Sequence, residues 1–260
     1  MIAKAAILGL VEGLTEFIPI SSTGHLILAG RVLEFPEPFA ATFEVAIQAG
    51  AIAAALVLYR PFFSNFLRPR HWVSKDAGLI IIACLPAALI GVLFHSTIKT
   101  LLFTPFWVAV ALIIGGIGLL VIQKKIPQGD EVTISKMSYR QALIIGLVQC
   151  VSLWPGMSRS GSAIAGGLVA KMGYQNSARF SFLVAVPLIM AAAVFDLGKS
   201  GFAFTQPEWI SLGVGTVVAF LVAIASVKLF LALLNRFKLA PFAYYRIGIG
   251  ILILTLEVLT

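Results

Sequence analysis

Charge is what this sequence has least of. Asp, Glu, Lys and Arg make up only 12% of its 260 residues, about half the share usual in a soluble domain. Mean hydropathy is +1.01, and the apolar residues run in stretches long enough to span a bilayer, which excludes a soluble globular domain. Alternation of apolar and polar residues is missing too, which excludes a transmembrane barrel. Helices are then the way left to satisfy the backbone in lipid. Cysteine is scarce: Cys84 and Cys150 both fall in apolar or re-entrant stretches without metal-type spacing, and read as packing residues rather than a disulfide. The N-terminus lacks a basic region, a short apolar core and a small-residue cleavage site, so it reads as mature sequence and not as a signal peptide.

The charge that is present is lopsided, with 19 basic against 11 acidic residues. A formal charge of +8 raises the question of nucleic acid, but the basic residues sit in short loops between apolar runs and mark cytoplasmic loops instead. Spans are expected at Phe39–Tyr59, Gly78–His95, Pro105–Ile122, Tyr174–Leu197, Trp209–Leu234 and Ala240–Leu259, with a turn-rich link at Glu34–Pro38. Two further segments are broken by proline: the opening run through Leu33, interrupted at Pro19, and Tyr139–Met172, interrupted at Pro155–Gly156. The basic-rich loops are Arg60–Lys75, Lys124–Arg140, Lys171–Arg179 and Lys228–Lys238, against single lysines at Lys99 and Lys199. They share one side only if both broken segments dip in and return, the first from outside and the second from the cytoplasm.

An internal repeat agrees. An offset of 137 sets Gly24 on Gly161, Ala5 on Ala142, Gly9 on Gly146, Ser21 on Ser158 and Phe43 on Phe180, with Glu12 on Gln149 and Thr15 on Ser152 as similar pairs. The expected architecture is an all-α polytopic membrane domain of two inverted-topology repeats, approximately residues 1–125 and 138–260. Each is a re-entrant helical hairpin plus three transmembrane helices. In such folds the broken helices meet near the midplane and mark the site.

Polar groups are concentrated at those two breaks, where their cost at membrane depth argues for function. In the first, Glu12 and Glu16 are four apart on one helical face, placed to bind a cation, orient water or pair with a base such as Arg159. Pro19 ends the helix and Ser21, Ser22 and Thr23 suit the start of the next, where hydroxyls cap free N–H groups and the helix end attracts an anion, usually phosphate. Ser22 and His25, three apart, put a hydroxyl beside an imidazole, as nucleophilic catalysis needs. The second break, PGMSRSGS at Pro155–Ser162, repeats the design with Arg159 where the first has Ser22. Its forked donors suit phosphate or carboxylate, and Ser158, Ser160 and Gly161 beside it favour phosphate; locking the loops through Glu12 or Glu16 is compatible with that. Glu44, Gln48, Gln149 and Ser162 are candidate cavity-lining residues. Arg246 and Asp196 stay open between internal and interfacial places.

EGLTEFIPISSTGH and PGMSRSGS together resemble the two signatures of the undecaprenyl-diphosphate phosphatase (bacitracin-resistance) family. The resemblance continues through FEVAIQAG, FSFLVAVP and PFAYYR, and so covers essentially the whole chain. One departure is Ala163, where the family usually has threonine. What the resemblance implies is hydrolysis of undecaprenyl diphosphate to undecaprenyl phosphate and inorganic phosphate in the bacterial inner membrane, on the extracytoplasmic side, with bacitracin resistance. It implies Glu12, Glu16, Ser22, His25 and Arg159 as catalytic, with Ser22 or a water attacking phosphorus and His25 handling the proton. Glu12 and Glu16 would hold a divalent cation, Mg or Ca, or position His25 and Arg159. The partners expected are a polyprenyl diphosphate lipid and the bilayer, and no nucleic acid. The competing reading is a lipid flippase or secondary transporter of the same architecture.

Overall fold

Two short helices bent back on each other open the chain, and the same arrangement returns halfway along it. The computed structural model describes residues 1–36, 39–126, 132–199 and 204–259. Glu37 and Pro38 of the first link, residues 127–131 of the hydrophilic linker, and the side chains of His95, Lys99, Asp196 and Lys199 lie outside what is described. The first hairpin is α1 (Ile2–Thr15) and α2 (Ser22–Leu33); α3 (Phe39–Leu58), a short α4 (Arg60–Phe63), α5 (Lys75–Leu102) and α6 (Pro105–Lys125) follow. The second hairpin is α7 (Tyr139–Gln149) and α8 (Arg159–Val169), followed by α9 (Tyr174–Lys199), α10 (Gln206–Phe237) and α11 (Ala240–Leu259). Among the described residues the extended structure is one isolated bridge between Val132 and Met172.

Among the described residues, five helices are long and apolar enough to cross a membrane: Lys75–Phe94, Pro105–Lys125, Tyr174–Val194, Gln206–Phe237 and Ala240–Val258. Thr42–Leu58 makes a sixth if counted with Arg60–Leu67, to which it is bent by 83°. The chain is a polytopic helical membrane protein, and its large exposed apolar side chains, among them Val92, Leu93, Val194, Val217 and Leu221, stud these helices where lipid would cover them. The breaks follow the local chemistry. α1 stops at Thr15 and a turn carries the chain over Pro19, which has no N–H to continue a helix. α7 gives way after Gln149 to one 3₁₀ turn, Cys150–Leu153, before Pro155. The first arm of the broken Tyr139–Met172 segment is therefore α-helical only to Gln149, a turn short of Pro155. Cys84 and Cys150 are free thiols, half-buried among helices.

Each hairpin closes on itself at its open end. Lys4 Nζ donates to the Glu34 carbonyl at 3.2 Å, and Gln141 Nε2 donates to the Ala170 carbonyl at 2.7 Å. The first mouth is tied to the C-terminal end of α11 by the Arg31–Glu257 ion pair. The second lies with the N-terminal end of α5, where Lys75 Nζ donates to the Ser135 carbonyl at 3.1 Å. α1 packs along α10, α7 along α5, α3 along α9 and α6 along α11. The α1–α10 seam is glycine-tight: a Cβ on Gly9 would strike the Gly215 carbonyl, and one on Gly13 would sit 2.6 Å from the Ala219 carbonyl oxygen. A row of rings, Phe17, Phe182, Phe230 and Phe242, meets edge to face at 5.1, 6.1 and 5.2 Å and joins the first tip to α9, α10 and α11.

Candidate active site

The two hairpin tips start their second helices in the same strained way. Ser21 caps α2 at φ 70° and Ser158 caps α8 at φ 71°. Positive φ costs an L-residue roughly 1–3 kcal/mol and gathers at functional sites. The strain is offset locally, because the Ser21 hydroxyl accepts from Gly24 N–H at 3.4 Å and the Ser158 hydroxyl from Gly161 N–H at 3.1 Å. The remaining first-turn N–H groups and the positive end of each helix stay turned towards the tips.

Glu16 is where the tips meet. Its Oε2 accepts from Ser22 Oγ at 2.6 Å and its Oε1 accepts from Arg159 Nη2 at 2.8 Å. The pair is almost fully enclosed, with side-chain exposures of 6% for Glu16 and 11% for Arg159. Arg159 Nη1 also donates to the Ser181 carbonyl at 3.0 Å and reaches the Ser181 hydroxyl at 3.3 Å. Its Nε is buried and without a partner among the described residues. A second strap crosses between the tips: Ser160 Oγ donates to the Ile18 carbonyl at 2.9 Å. Since that uses its one proton, Ser158 Oγ, 3.1 Å away, donates to Ser160.

A cavity of about 140 Å³ lies at this junction, lined by Glu16, Ser21, Ser22, Thr23, Gln48 and Arg159, with Ser152, Pro155, Gly156, Ser158 and Ile189 completing the wall. Among the sequence candidates, Glu16, Ser21, Ser22, Thr23, Gln48, Ser158 and Arg159 thus converge. Ser160 and Gly161 do not line it, being engaged in the strap and the cap. Ser162, Glu44 and Gln149 do not line it either. Ser152, Ser181 and Ile189 are not among the sequence candidates; the repeat that sets Ser152 on Thr15 and the FSFLVAVP stretch around Ser181 are the signals in the sequence that point to two of them.

His25 is not where the spacing to Ser22 places it. Ser22 spends its proton on Glu16, and the imidazole turns the other way: Nδ1 lies 2.8 Å from the Ser21 carbonyl and Nε2 2.9 Å from the Tyr245 hydroxyl. A carbonyl only accepts, so Nδ1 carries the proton and Nε2 accepts from Tyr245. Tyr245 also stacks on the ring, centroids 5.5 Å apart at 6°. The expected hydroxyl–imidazole pair is therefore replaced by a hydroxyl–carboxylate pair. The next residue, Arg246, is internal, 1% exposed, and donates to the carbonyls of Leu112, Ala111 and Gly156 at 3.1, 3.4 and 2.7 Å.

Glu12, one turn before Glu16, is fully buried, and neither carboxylate oxygen has a hydrogen-bond partner among the described residues. A buried carboxyl without donors must be neutralised, by a proton or by a cation. Oxygen donors suit Mg or Ca, and Glu12 fits such an ion as the unengaged ligand; Glu16 fits less well, because Ser22 and Arg159 already occupy both its oxygens. No group of three or more metal-ligating side chains is assembled among the described residues.

Fold and geometry together define a multi-pass helical membrane protein whose two broken hairpins bring a serine, a carboxylate and an arginine to one cavity. The chain belongs to the bacitracin resistance protein BacA family, whose sequence profile matches residues 5–252. It is 48% identical over 253 residues to an undecaprenyl-diphosphatase of Nitratidesulfovibrio vulgaris (strain DP4), covering 96% of each chain. It is 44% identical over 260 residues to the undecaprenyl-diphosphatase of Thermoanaerobacter sp. (strain X514), covering 98% of this chain and 97% of that one. Against undecaprenyl-diphosphatase 1 of Bacillus anthracis the figures are 42% over 255 residues and 96% of each.

Proposed function

We propose that this protein hydrolyses undecaprenyl diphosphate to undecaprenyl phosphate and inorganic phosphate, the activity for which its relatives are named, and that bacitracin resistance follows from it. The observation that carries the reading is the Ser22–Glu16–Arg159 chain of contacts on one cavity wall. Such a cavity inside a membrane domain suits a substrate with a lipid tail and a charged head.

The terminal phosphoryl group lies in the cavity against the first turn of α2, with Arg159 beside it. Ser22 Oγ attacks phosphorus while Glu16, already holding its proton, takes it. The bond from phosphorus to the bridging oxygen breaks and the lipid monophosphate leaves. As Glu16 becomes neutral its hold on Arg159 weakens, and the guanidinium turns its donors to the equatorial oxygens. The departing lipid monophosphate carries off the proton from Glu16, whose carboxylate then takes one from water as the water attacks the phosphoserine. The bond from phosphorus to Ser22 Oγ breaks, Glu16 returns the proton to Oγ, and inorganic phosphate departs. Phosphoryl transfer depends mostly on such positioning and charge stabilisation. A divalent cation, for which Glu12 offers the unengaged carboxylate, would supply further neutralisation of phosphate charge.

We also infer that the hairpins enter from opposite faces as parts of two inverted repeats. Support comes from the distribution of charge: the end carrying the second mouth carries most of the basic loops, and such loops stay cytoplasmic. The first mouth then faces the extracytoplasmic side of the bacterial inner membrane. The test is phosphate release from a polyprenyl diphosphate by purified protein in detergent micelles, with and without chelator. One phosphate and one lipid monophosphate per substrate, lost in Arg159→Ala, is the expected result; no release by the unaltered protein would overturn the reading.

A further inference from the structure

Tyr245 and Arg246 are consecutive on α11, yet each reaches a different hairpin tip. Arg246 donates its shortest bond, 2.7 Å, to the carbonyl of Gly156. Gly156 is the turn residue of the second tip, at φ 98°, and has no room for a side chain against the Val108 carbonyl. The other two Arg246 bonds anchor the guanidinium to the carbonyls of Ala111 and Leu112 in α6. Tyr245 donates to His25 Nε2, and His25 Nδ1–H in turn holds the carbonyl of Ser21, the strained cap of the first tip. Each tip therefore has one backbone carbonyl fixed from α11, directly in one case and through an imidazole in the other. Neither Tyr245, Arg246 nor His25 lines the cavity.

We infer that Tyr245 and Arg246 are positioning residues: together they set the distance between the two tips, and so hold Ser22 and Arg159 on the same Glu16 carboxylate. His25 belongs to this device as the relay to Ser21 and handles no proton of the reaction. The inference rests on the phosphatase reading for its kinetic consequence, but not for its structural one. Arginine suits the task because its fork serves three carbonyls at once, where lysine has a single point of donation.

The test uses Tyr245→Phe, Arg246→Lys and Arg246→Met in the full chain, with the exposed neighbour substitution Tyr244→Phe as control. Kinetics of phosphate release are read beside the fluorescence of Trp154, two residues from Gly156, in a background where Trp72, Trp107 and Trp209 are phenylalanine. Expected are a fall in kcat of about tenfold or more for Tyr245→Phe and Arg246→Met, with KM within about threefold. Arg246→Lys should regain part of the loss, and Trp154 emission should shift in both Arg246 variants but not in Tyr244→Phe. If Arg246→Met does not fold, Arg246→Lys and Tyr245→Phe decide the matter. Unchanged kcat in those two would overturn the inference, as would a tenfold rise in KM at constant kcat, which marks direct substrate contact. An unaltered protein without phosphatase activity would sink the phosphatase reading alone; Trp154 would still report whether Arg246 holds the tip.

Discussion

Glu16 has both carboxylate oxygens in use, and what uses them defines the site. A hydroxyl at 2.6 Å and a guanidinium at 2.8 Å make one residue both the hydrogen-bond acceptor of Ser22 and the clasp between the two tips. Breaking an enclosed ion pair from one side leaves an uncompensated charge, at about 3–5 kcal/mol. Arg159→Met should therefore lower the unfolding midpoint of the detergent-solubilised protein clearly; an unmoved midpoint would mean that the pair is solvated. Ser22→Ala should cost about 100-fold or more in phosphate release, whereas near-normal turnover would leave water as the attacking group. At this scale the sequence was partly legible. The cluster of Glu12, Glu16 and three hydroxyls beside Pro19 identified the tip, and Arg159 the other half. The pairing of Ser22 with His25 does not form, because helical spacing fixes only which side chains share a face. A nearby carboxylate is a stronger acceptor for Ser22, and the open carbonyl of Ser21 captures the imidazole.

The helical hairpins show the same division. Their boundaries could be read closely: α2 ends at Leu33, α7 starts at Tyr139, and the cap serines fall where hydroxyls precede glycine by three residues. Which helix lies against which could not be read, because apolar stretches are interchangeable to a hydropathy pattern. The glycines were the available clue. Gly9 and Gly13 let α1 approach α10 until backbone meets backbone, the kind of close packing that holds helices together in lipid. Gly13→Val should accordingly reduce both the yield of folded protein and the unfolding midpoint, while Leu14→Val, on the exposed side of the same turn, should change neither. Equal behaviour of the two variants in size-exclusion chromatography and thermal unfolding would contradict the packing.

For the molecule as a whole, the bilayer explains the surface and the hairpins explain the interior. Large apolar side chains face outward along α5, α6, α9, α10 and α11, while most of the buried polar groups gather at or beside the two irregular hairpin tips, where non-helical backbone must be kept from lipid. The proposed insertion of the hairpins from opposite faces makes a prediction at this scale. A single cysteine at position 31 should react with a membrane-impermeant reagent in intact cells, and one at position 140 only after the membrane is opened; the reverse pattern would invert the topology. The central claim is that Glu16 takes the proton from Ser22 at the junction of the tips, and the turnover of Glu16→Gln at saturating polyprenyl diphosphate tests it most directly. Glutamine still accepts the Ser22 bond but takes up no proton, so kcat should fall by about 100-fold or more with KM little changed. Turnover within about threefold of the unaltered protein would contradict it.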